Sequence, residues 1–483
     1  MGQIQHQYQK LKFEYFSFLE IERCKSVTKG DIRAYVGLRT WMYEFDEIKS
    51  GNDSHNSHIA GFERAIEDFS REIKKRNLLT AINDMLKNWN ENGGYIPRND
   101  KNIQPLLSSP IPKMSKWKKN GFNLISLFSG ALGLDLGFLA TGFDLKLIND
   151  IDKNSINTIN KNLPNIPCAT QDIKDIPSGK LLELANIKKG EVDLITGGPP
   201  CQPFSTAGNR KGLNDPRASP LQEFIRIINE IKPRAFVMEE VTGLKSARLK
   251  HVPISERGDR ELLPEEKKGS VFKVILEMLN KTGYNITYKI LNSADYGSPQ
   301  IRERIIFIGL RNGKSKLPEK THSDIPEARF DLGSLKPWNT FWESVIDLQK
   351  DLDSFDTKFT PKIEKYLPYI PPGGYWKYLP DQLIEEAMGG AYKSGGGKKG
   401  FFRRLSWDEP SPTVVTSPTQ KGSIFCHPES LRPLSINEYK RVQGFPDDWE
   451  LIGSNSAQYK LIGNAVPVHL SFAIAQKVKE LLE

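Results

Sequence analysis

Residues 193–205 read DLITGGPPCQPFS, a short apolar run followed by two glycines, two prolines and a cysteine. The run at 193–196 predicts a buried strand of a parallel sheet, because such strands are apolar on both faces. The glycines and prolines end this strand and hold Cys201 on a stiff turn. Open α/β sheets bind their ligands at the carboxyl ends of the strands, so Cys201 lies where a reacting group is expected. A buried structural cysteine is the alternative interpretation.

The composition limits the classes of protein to consider. The 483 residues allow about three domains of ordinary size. A formal net charge of +9 suggests a polyanionic partner. The cysteines stand far apart with no C-x-x-C pair, which argues against a disulfide framework or a zinc site and favours a reducing compartment: Cys24, Cys168, Cys201 and Cys426. No apolar run is long enough for a membrane span or resembles a secretion signal, so we expect a soluble, cytoplasmic protein without a metal.

A glycine-rich turn lies closer to the N-terminus. NLISLF (123–128) predicts a strand, and SGALGLDLG (129–137) predicts a turn that opens a helix. A strand, a glycine-rich turn and a helix form a cradle for a nucleotide or for S-adenosylmethionine, since glycine lets the backbone approach the ligand. A plain packing turn is the alternative.

Charged residues follow several predicted strands. Asp150 ends the second strand, where a carboxylate can accept hydrogen bonds from ribose hydroxyls, and Asp172 lies near the end of the third. Glu239 ends the strand predicted over 235–238 and is a candidate general acid beside the thiol. Arg302 and Arg304 enter another strand on one of its faces. Solvated turn carboxylates and surface salt bridges are the alternatives.

The chain divides into regions of different texture. Residues 1–115 predict several helices, which serve either as a packing extension or as a DNA or dimer contact. Over 311–430 Pro, Gly, Trp and Tyr are frequent, and basic residues including Arg404 border glycines and aromatics, a pattern that suits nucleic-acid contact or a surface loop. Regular structure returns at 431–483, with a helix over 434–442 and a last helix opened by GNAVP (463–467).

From Phe122 to the C-terminus, the ordered motifs resemble those of the DNA cytosine-5 methyltransferases. The resemblance is carried by PPCQ (199–202), QIRER (300–304), RVQGFP (441–446) and GNAVP (463–467). It implies an α/β, Rossmann-like S-adenosylmethionine-dependent methyltransferase domain made of 116–310 and 431–483. An irregular, β-rich target recognition domain (311–430) would be inserted in it, after the N-terminal helical extension.

The resemblance also implies site residues. The catalytic residues are Cys201, whose thiolate adds to carbon 6 of cytosine, Glu239, which stabilises charge at N3, and Arg304, which contacts O2; Arg302 is expected to form a supporting salt bridge. The implied S-adenosylmethionine-binding residues are Phe128, Gly130, Gly133, Asp150, Ile151, Asp172, Ile173, Asn464 and Val466. The implied substrate- and DNA-binding residues are Pro199, Gln202, Ser205, Arg210, Arg217, Arg302, Arg404 and Thr413.

Two positions depart from the family pattern. Leu132 stands where the family usually has a second glycine, so the shape of the first turn is open. Glu240 replaces the usual asparagine after the catalytic glutamate, which leaves the local hydrogen bonding open.

The implied function is methylation of carbon 5 of a flipped cytosine in double-stranded DNA. The context implied is a restriction-modification system of a bacterium or phage, with a cognate endonuclease acting separately. Methylation of a transfer RNA is an alternative, opposed by the large segment between Arg304 and Leu434. An inactive DNA-binding regulator is opposed by the intact Cys201, Glu239 and Arg304. A nicotinamide dehydrogenase explains neither the Cys201 loop nor the C-terminal motif.

Overall fold

The computed structural model describes residues 111, 114, 117–119, 121–200, 219–250, 252, 260–324, 335–345, 347–348, 357–393, 400–407, 409–428 and 430–483. The helices predicted for the N-terminal extension therefore lie outside the described residues. So do Cys201 and the rest of 201–218.

The strands of the described residues are numbered in chain order. They are β1 (Asn123–Leu127), β2 (Asp144–Asn149), β3 (Cys168–Ala169), β4 (Leu194–Gly197), β5 (Ala235–Val241), β6 (Asn285–Asn292), β7 (Gln300–Ile301), β8 (Glu303–Leu310), β9 (His322–Ser323), β10 (Lys336–Pro337) and β11 (Ser411–Pro412).

The α-helices of the described residues follow the same numbering. They are α1 (Asp135–Thr141), α2 (Lys153–Asn162), α3 (Ser178–Leu184), α4 (Ser219–Ile231), α5 (Ser270–Asn280), α6 (Phe341–Val345), α7 (Pro361–Glu364), α8 (Asp381–Met388), α9 (Gly390–Lys393), α10 (Ile436–Gln443), α11 (Asn455–Asn464) and α12 (Val468–Leu482).

A mixed, mostly parallel sheet forms the centre of the fold, with strand order β3-β2-β1-β4-β5-β8-β6. The first five strands run parallel, and β8 runs antiparallel to both of its neighbours. Gly197 at the end of β4 lies opposite Leu127 of β1 and Met238 of β5. The residues that follow β1, β4 and β5 therefore meet at one edge of the sheet. The predicted α/β, Rossmann-like class is confirmed.

The core has one layer on each face of this sheet. Successive strand residues alternate between two hydrophobic clusters, so that Leu194 belongs to one and Ile195 to the other. Helices α1 and α12 cover the first face, and α4 and α5 cover the second. Each fully buried Leu, Ile or Phe contributes roughly 1.5–3 kcal/mol of hydrophobic stabilisation. The packed core therefore holds the strands, and with them their carboxyl ends, in place.

The C-terminal helix α12 packs against α1, the first α-helix of the described residues. The backbone N–H of Gly137 in α1 donates to Ser471 Oγ of α12 at 3.1 Å, and Ser471 Oγ–H donates to the carbonyl of Leu134. A Cβ atom at position 137 would lie 2.4 Å from the backbone of Ser471 and Phe472. The absence of a side chain at Gly137 therefore permits this close helix packing.

The inserted segment differs from its expected β-rich character. In the part of 311–430 that the structure describes, the strands are the two-residue β9, β10 and β11. Short helices and irregular backbone bury a separate small core that includes Tyr366, Leu367 and Phe402. Proline is frequent in this segment and disfavours long strands, because it cannot donate to a strand ladder.

Two predicted boundaries are corrected. The helix predicted over 434–442 begins at Ile436, because Ser435 caps it by accepting from the N–H of Glu438 at 3.2 Å. GNAVP does not open the last helix. It ends α11 at Asn464 and then supplies the connection to α12.

Gly137→Ala is expected to destabilise the protein by roughly 1–3 kcal/mol, because the added methyl group overpacks the contact between α1 and α12. Alanine is otherwise the better helix former, so propensity alone predicts the opposite sign. Chemical unfolding measures the difference.

Gly179→Ala is the matched control, since Gly179 lies in α3 and its Cβ would meet nothing within 4 Å. Equal stability of the two variants would contradict the close packing of α12 on α1.

Candidate active site

A cleft of about 490 Å³ opens at the edge of the sheet where β1, β2, β4 and β5 end. Its walls are the turn after β1, the residues after β2 and β3, the glycine-proline turn after β4, the ends of β5 and β8, and the connection between α11 and α12. Predicted cofactor, catalytic and substrate residues meet there: Phe128, Gly130, Gly133, Asp150, Ile151, Asp172, Ile173, Pro199, Glu239, Arg302, Arg304, Asn464 and Val466.

The turn after β1 has a left-handed backbone at several positions. Phe128, Gly130 and Leu132 have φ of 53°, 53° and 65°. Leu132 thus adopts the conformation that a glycine would take without strain, at a cost of roughly 1–2 kcal/mol. Its fully buried side chain, packed in the core, offsets this cost. The departure at position 132 therefore leaves a sharp turn in place.

The glycine-rich turn after β1 and the GNAVP segment (463–467) touch at Gly133. A Cβ atom there would lie 2.6 Å from the carbonyl oxygen of Val466 and 2.7 Å from Cβ of Ala465. This approach closes the cleft on one side with a segment more than three hundred residues away in the chain.

Asp150 is held in a fixed orientation at the end of β2. One carboxylate oxygen accepts from the N–H of Gly130 at 2.7 Å, and the other accepts from the N–H of Asp152 at 2.8 Å. Burial raises the pKa of Asp150, while these two hydrogen bonds oppose that rise. Ile151 next to it is 69% exposed, so an apolar side chain is presented at the mouth of the cleft. An acceptor beside an exposed apolar surface suits a ribose next to an adenine ring.

The predicted adenine-edge residues lie on the same side. Ile173 is buried, and Asp172 caps a short 3₁₀ turn by accepting from the N–H of Lys174 at 3.1 Å. The Lys174 Nζ atom also lies 3.2 Å from an Asp172 carboxylate oxygen.

Glu239 and Arg304 form an ion pair at the other end of the cleft. Arg304 Nε lies 2.7 Å from Glu239 Oε1, and both side chains are about one-seventh exposed, at 14% and 13%. Arg304 Nη1 also donates to the carbonyl of Glu303 at 2.8 Å. A Cβ atom on Gly198 would lie 3.0 Å from Glu239 Oε2, so the turn that leads to position 201 passes directly over this carboxylate.

Arg302 does not form the supporting salt bridge that is expected from the sequence. Its guanidinium is buried and donates to two backbone carbonyls, those of Val414 at 2.8 Å and Gly463 at 2.9 Å. Burial and the charge of Arg304 lower the pKa of Arg302, and Glu239 opposes them. Arg302 therefore joins the end of the inserted segment to the wall of the cleft.

Two buried glutamines, neither of them among the site residues expected from the sequence, complete this junction between the inserted segment and the wall of the cleft. The Gln300 side chain donates to Gln443 and accepts from the N–H of Val414 at 2.8 Å. Gln443 donates to the carbonyls of Ile462 and Ala465. Gln300 stands in the charged motif QIRER (300–304) and Gln443 in RVQGFP (441–446), and neither motif by itself shows which groups the glutamine side chains bind.

A further missed residue is Asp135, which is buried at the start of α1 and also lines the cleft. It accepts from the hydroxyl groups of Ser126 on β1, at 2.9 Å, and of Thr196 on β4. Burial raises the pKa of Asp135 to about 6, against the effect of these hydrogen bonds. Asp135 ties two strand ends together below the glycine turn.

The remaining predicted DNA contacts have different outcomes. Arg404 is 7% exposed and donates to the carbonyls of Pro428 and Ile370 at 2.9 Å, so its position assigns it a structural role and not DNA contact. Thr413 Oγ1 donates to the carbonyl of Ile301 at 2.8 Å, beside the pairing of β7 with β11. The predicted loop residues lie outside the described residues: Cys201, Gln202, Ser205, Arg210 and Arg217.

Other kinds of site have no support in the described part of the chain. No three His, Cys, Asp or Glu side chains are grouped there so that they could hold a metal ion. None of the helices described combines the length and apolar character that crossing a bilayer requires.

Comparison with known proteins assigns the chain to a family. The sequence profile of C-5 cytosine-specific DNA methylases matches residues 122–480. The chain therefore belongs to the C-5 cytosine-specific DNA methylase family. It is accordingly a DNA cytosine-5 methyltransferase, an enzyme that acts on DNA, and its family and fold imply S-adenosylmethionine as methyl donor.

Individual relatives are similar over most of their length. Type II methyltransferase M.PspPI of Psychrobacter sp. strain TA137 is 35% identical over 440 residues, covering 87% of this chain and 96% of that protein. Type II methyltransferase M.Sau96I of Staphylococcus aureus is 37% identical over 366 residues, covering 76% and 77%. Type II methyltransferase M.Eco47II of Escherichia coli is 33% identical over 437 residues, covering 86% and 96%.

Arg302→Met is expected to lower the free energy of unfolding by roughly 2–5 kcal/mol, because it leaves two buried carbonyls without their donor. Urea unfolding measures this loss. The free energy of unfolding of Arg302→Lys should lie between those of Arg302→Met and the wild type, since an ammonium can replace one of the two hydrogen bonds.

Arg311→Met is the control, because exposed Arg311 also donates to a backbone carbonyl, that of Lys232 at 2.7 Å. If both methionine variants have the same stability, Arg302 does not act as the junction described.

Proposed function

We propose that this protein transfers a methyl group from S-adenosylmethionine to carbon 5 of a flipped cytosine in a specific double-stranded DNA sequence, through a covalent bond between Cys201 and carbon 6. The observation that carries the proposal is that Asp150, the glycine turn and the Glu239–Arg304 pair line one cleft, with Pro199 at its wall.

The cleft fits the cofactor in size and in chemistry. Its volume of about 490 Å³ lies in the range of pockets for small ligands and cofactors. Asp150 would accept from the ribose hydroxyls, and Phe128 and Ile151 would pack on the adenine. Asn464 and Val466 would close the pocket from the C-terminal side. When bound, S-adenosylmethionine supplies an electrophilic methyl group on its sulfonium sulfur.

The protein residues activate the cytosine. Carbon 5 of the aromatic ring is a poor nucleophile. The Cys201 thiolate adds to carbon 6, the carbon 5–carbon 6 double bond opens, and its electrons make carbon 5 enamine-like. Glu239 shares a proton with N3, and Arg304 stabilises the negative charge that reaches O2. After methylation, water removes the proton from carbon 5, and Cys201 leaves as a thiolate to restore the ring.

The ion pair sets the geometry of this activation. Arg304 binds Glu239 through Oε1, so Oε2 is the carboxylate oxygen directed toward Gly198 and the turn that carries Cys201. A proton shared with the base would therefore pass through an oxygen whose position the neighbouring strand fixes. Charged groups act most strongly at such a site when water is excluded from it.

Duplex DNA requires that the target base leave the stack. Unpairing costs a few kcal/mol, which contacts elsewhere must offset. The loop at 205–219, with Arg210 and Arg217, would close over the flipped base. Residues 311–430 would hold the phosphates and read the major groove.

The biological context proposed is a restriction-modification system. The three relatives described above bear the name type II methyltransferase, which supports a role as the modification enzyme beside a separate endonuclease.

Bisulfite sequencing of DNA from cells that express the protein tests this function. We expect unconverted cytosines within one recurring short sequence. Cys201→Ser should abolish them while duplex binding persists, as expected for loss of the nucleophile alone. Conversion of every cytosine in DNA from cells that express the wild-type protein would overturn the proposal. Methyl transfer by the purified protein to tRNA and not to duplex DNA would overturn it as well.

Glu239→Gln is expected to lower kcat by roughly 10²–10⁴-fold, the range for loss of a general acid. The dissociation constant for S-adenosylhomocysteine should stay near the wild-type value, because Glu239 serves the cytosine and not the cofactor. Methyl transfer to duplex DNA and isothermal titration calorimetry measure the two quantities.

Glu303→Gln is the control, since Glu303 is an exposed carboxylate close in sequence to Arg304. A Glu239→Gln enzyme with the kcat of the Glu303→Gln enzyme would contradict the role of Glu239.

A further inference from the structure

A lysine that no motif argument singles out stands at the mouth of the cleft. Lys460 on α11 places its Nζ atom 2.9 Å from Oδ2 of Asp152, the residue that caps α2. Both side chains line the cleft together with Asp150. The pair therefore bridges two helices across the side on which the cofactor is proposed to bind.

Asp152 uses its two carboxylate oxygens for different tasks. Oδ1 accepts from the N–H of Asn154 at 2.9 Å and caps α2, while Oδ2 pairs with Lys460. The Lys460 ammonium lowers the pKa of Asp152. Asp152 thus remains an anion only two residues from the carboxylate proposed to bind the ribose.

Asp150 must be ionised to accept from two hydroxyls, and its surroundings oppose ionisation. Burial raises the pKa of Asp150, and the negative charge of Asp152 raises it further. Hydrogen bonds from backbone N–H groups act in the other direction, and the Lys460 ammonium is the cation that helps them. Other charged groups face the same cleft from neighbouring elements: Asp135, Asp172, Glu239, Arg302 and Arg304.

We propose that Lys460 is a positioning residue for S-adenosylmethionine: paired with Asp152, it keeps Asp150 in the carboxylate form that receives the ribose hydroxyls. This inference rests on the proposed function, because it assumes that the cleft binds the cofactor. It adds an electrostatic role for a residue outside the cofactor set implied by the motifs.

A purely mechanical role is the competing explanation. Lys460 and Asp152 also tie α11 to α2, and loss of such a tether would weaken ligand binding whichever partner is removed. The two explanations predict different effects of replacing Lys460 and Asp152. In the electrostatic explanation the two replacements shift the pKa of Asp150 in opposite directions, and in the mechanical one both weaken binding alike. Removing the cation raises the pKa of Asp150, whereas removing the neighbouring anion lowers it.

The test is the dissociation constant of S-adenosylhomocysteine, measured by calorimetry between about pH 5 and pH 8 on the full chain. For Lys460→Gln we expect roughly three- to tenfold weaker binding at the acid end, with recovery toward pH 8, because the acid limb of the profile moves to higher pH. Lys460→Arg should restore the wild-type profile. Asp152→Asn, which can still cap α2, should move the acid limb to lower pH.

Lys161→Gln is the matched control. Lys161 lies 3.5 Å from Glu450 in another ion pair at the far end of α2, and neither residue lines the cleft. The Lys161→Gln profile should coincide with that of the wild type.

The outcomes separate the inference from the function on which it rests. If Lys460→Gln and Asp152→Asn move the acid limb in the same direction, or if Lys460→Gln behaves as Lys161→Gln does, the inference is overturned and the proposed function stands. If the wild type does not bind S-adenosylhomocysteine at any pH, the proposed function fails first.

Discussion

The ion pair between Glu239 and Arg304 is the interaction on which the rest of the site depends. It joins adjacent antiparallel strands, β5 and β8, whose register sets Arg304 opposite Val241. Sheet pairing and not a flexible loop therefore orients the Glu239 carboxylate. Gly198 approaches the same carboxylate, so the turn toward the proposed nucleophile and the charge pair occupy one corner of the cleft. Since both side chains are largely withdrawn from water, their attraction is stronger than that of a surface pair.

Closure of an interrupted domain is the second requirement. Residues 311–430 lie in the chain between the strands of the central sheet and helices α10, α11 and α12, yet residues from both sides of this segment line one cleft. Gln300 and Arg302 bind backbone groups of Val414, inside that segment, and Arg302 and Gln443 bind the carbonyls of Gly463 and Ile462, which follow it. The bonds go to carbonyl and N–H groups, so they fix backbone positions independently of side-chain identity. Entry to and exit from the inserted segment are thereby tied to the wall where the cofactor is proposed to bind.

The sequence predicted what short, contiguous patterns can encode. Strand–turn motifs placed Phe128, Asp150 and Glu239 at one sheet edge, because strand ends in a parallel sheet converge. The roles of Arg302 and Lys460 required the partners that folding brings from distant segments. Composition also could not separate the buried Arg404 from an exposed basic residue, since both occur beside glycines and aromatics.

The central claim is that a thiol at position 201 bonds to an extruded cytosine beside the Glu239–Arg304 pair. It is tested most directly by duplex DNA carrying 5-fluorocytosine at the methylated position, incubated with the enzyme and S-adenosylmethionine. Fluorine cannot leave as the proton does, so the account predicts a denaturation-resistant complex in which mass spectrometry finds the base on Cys201. No complex, or a complex at another residue, while ordinary DNA is methylated under the same conditions would contradict the account.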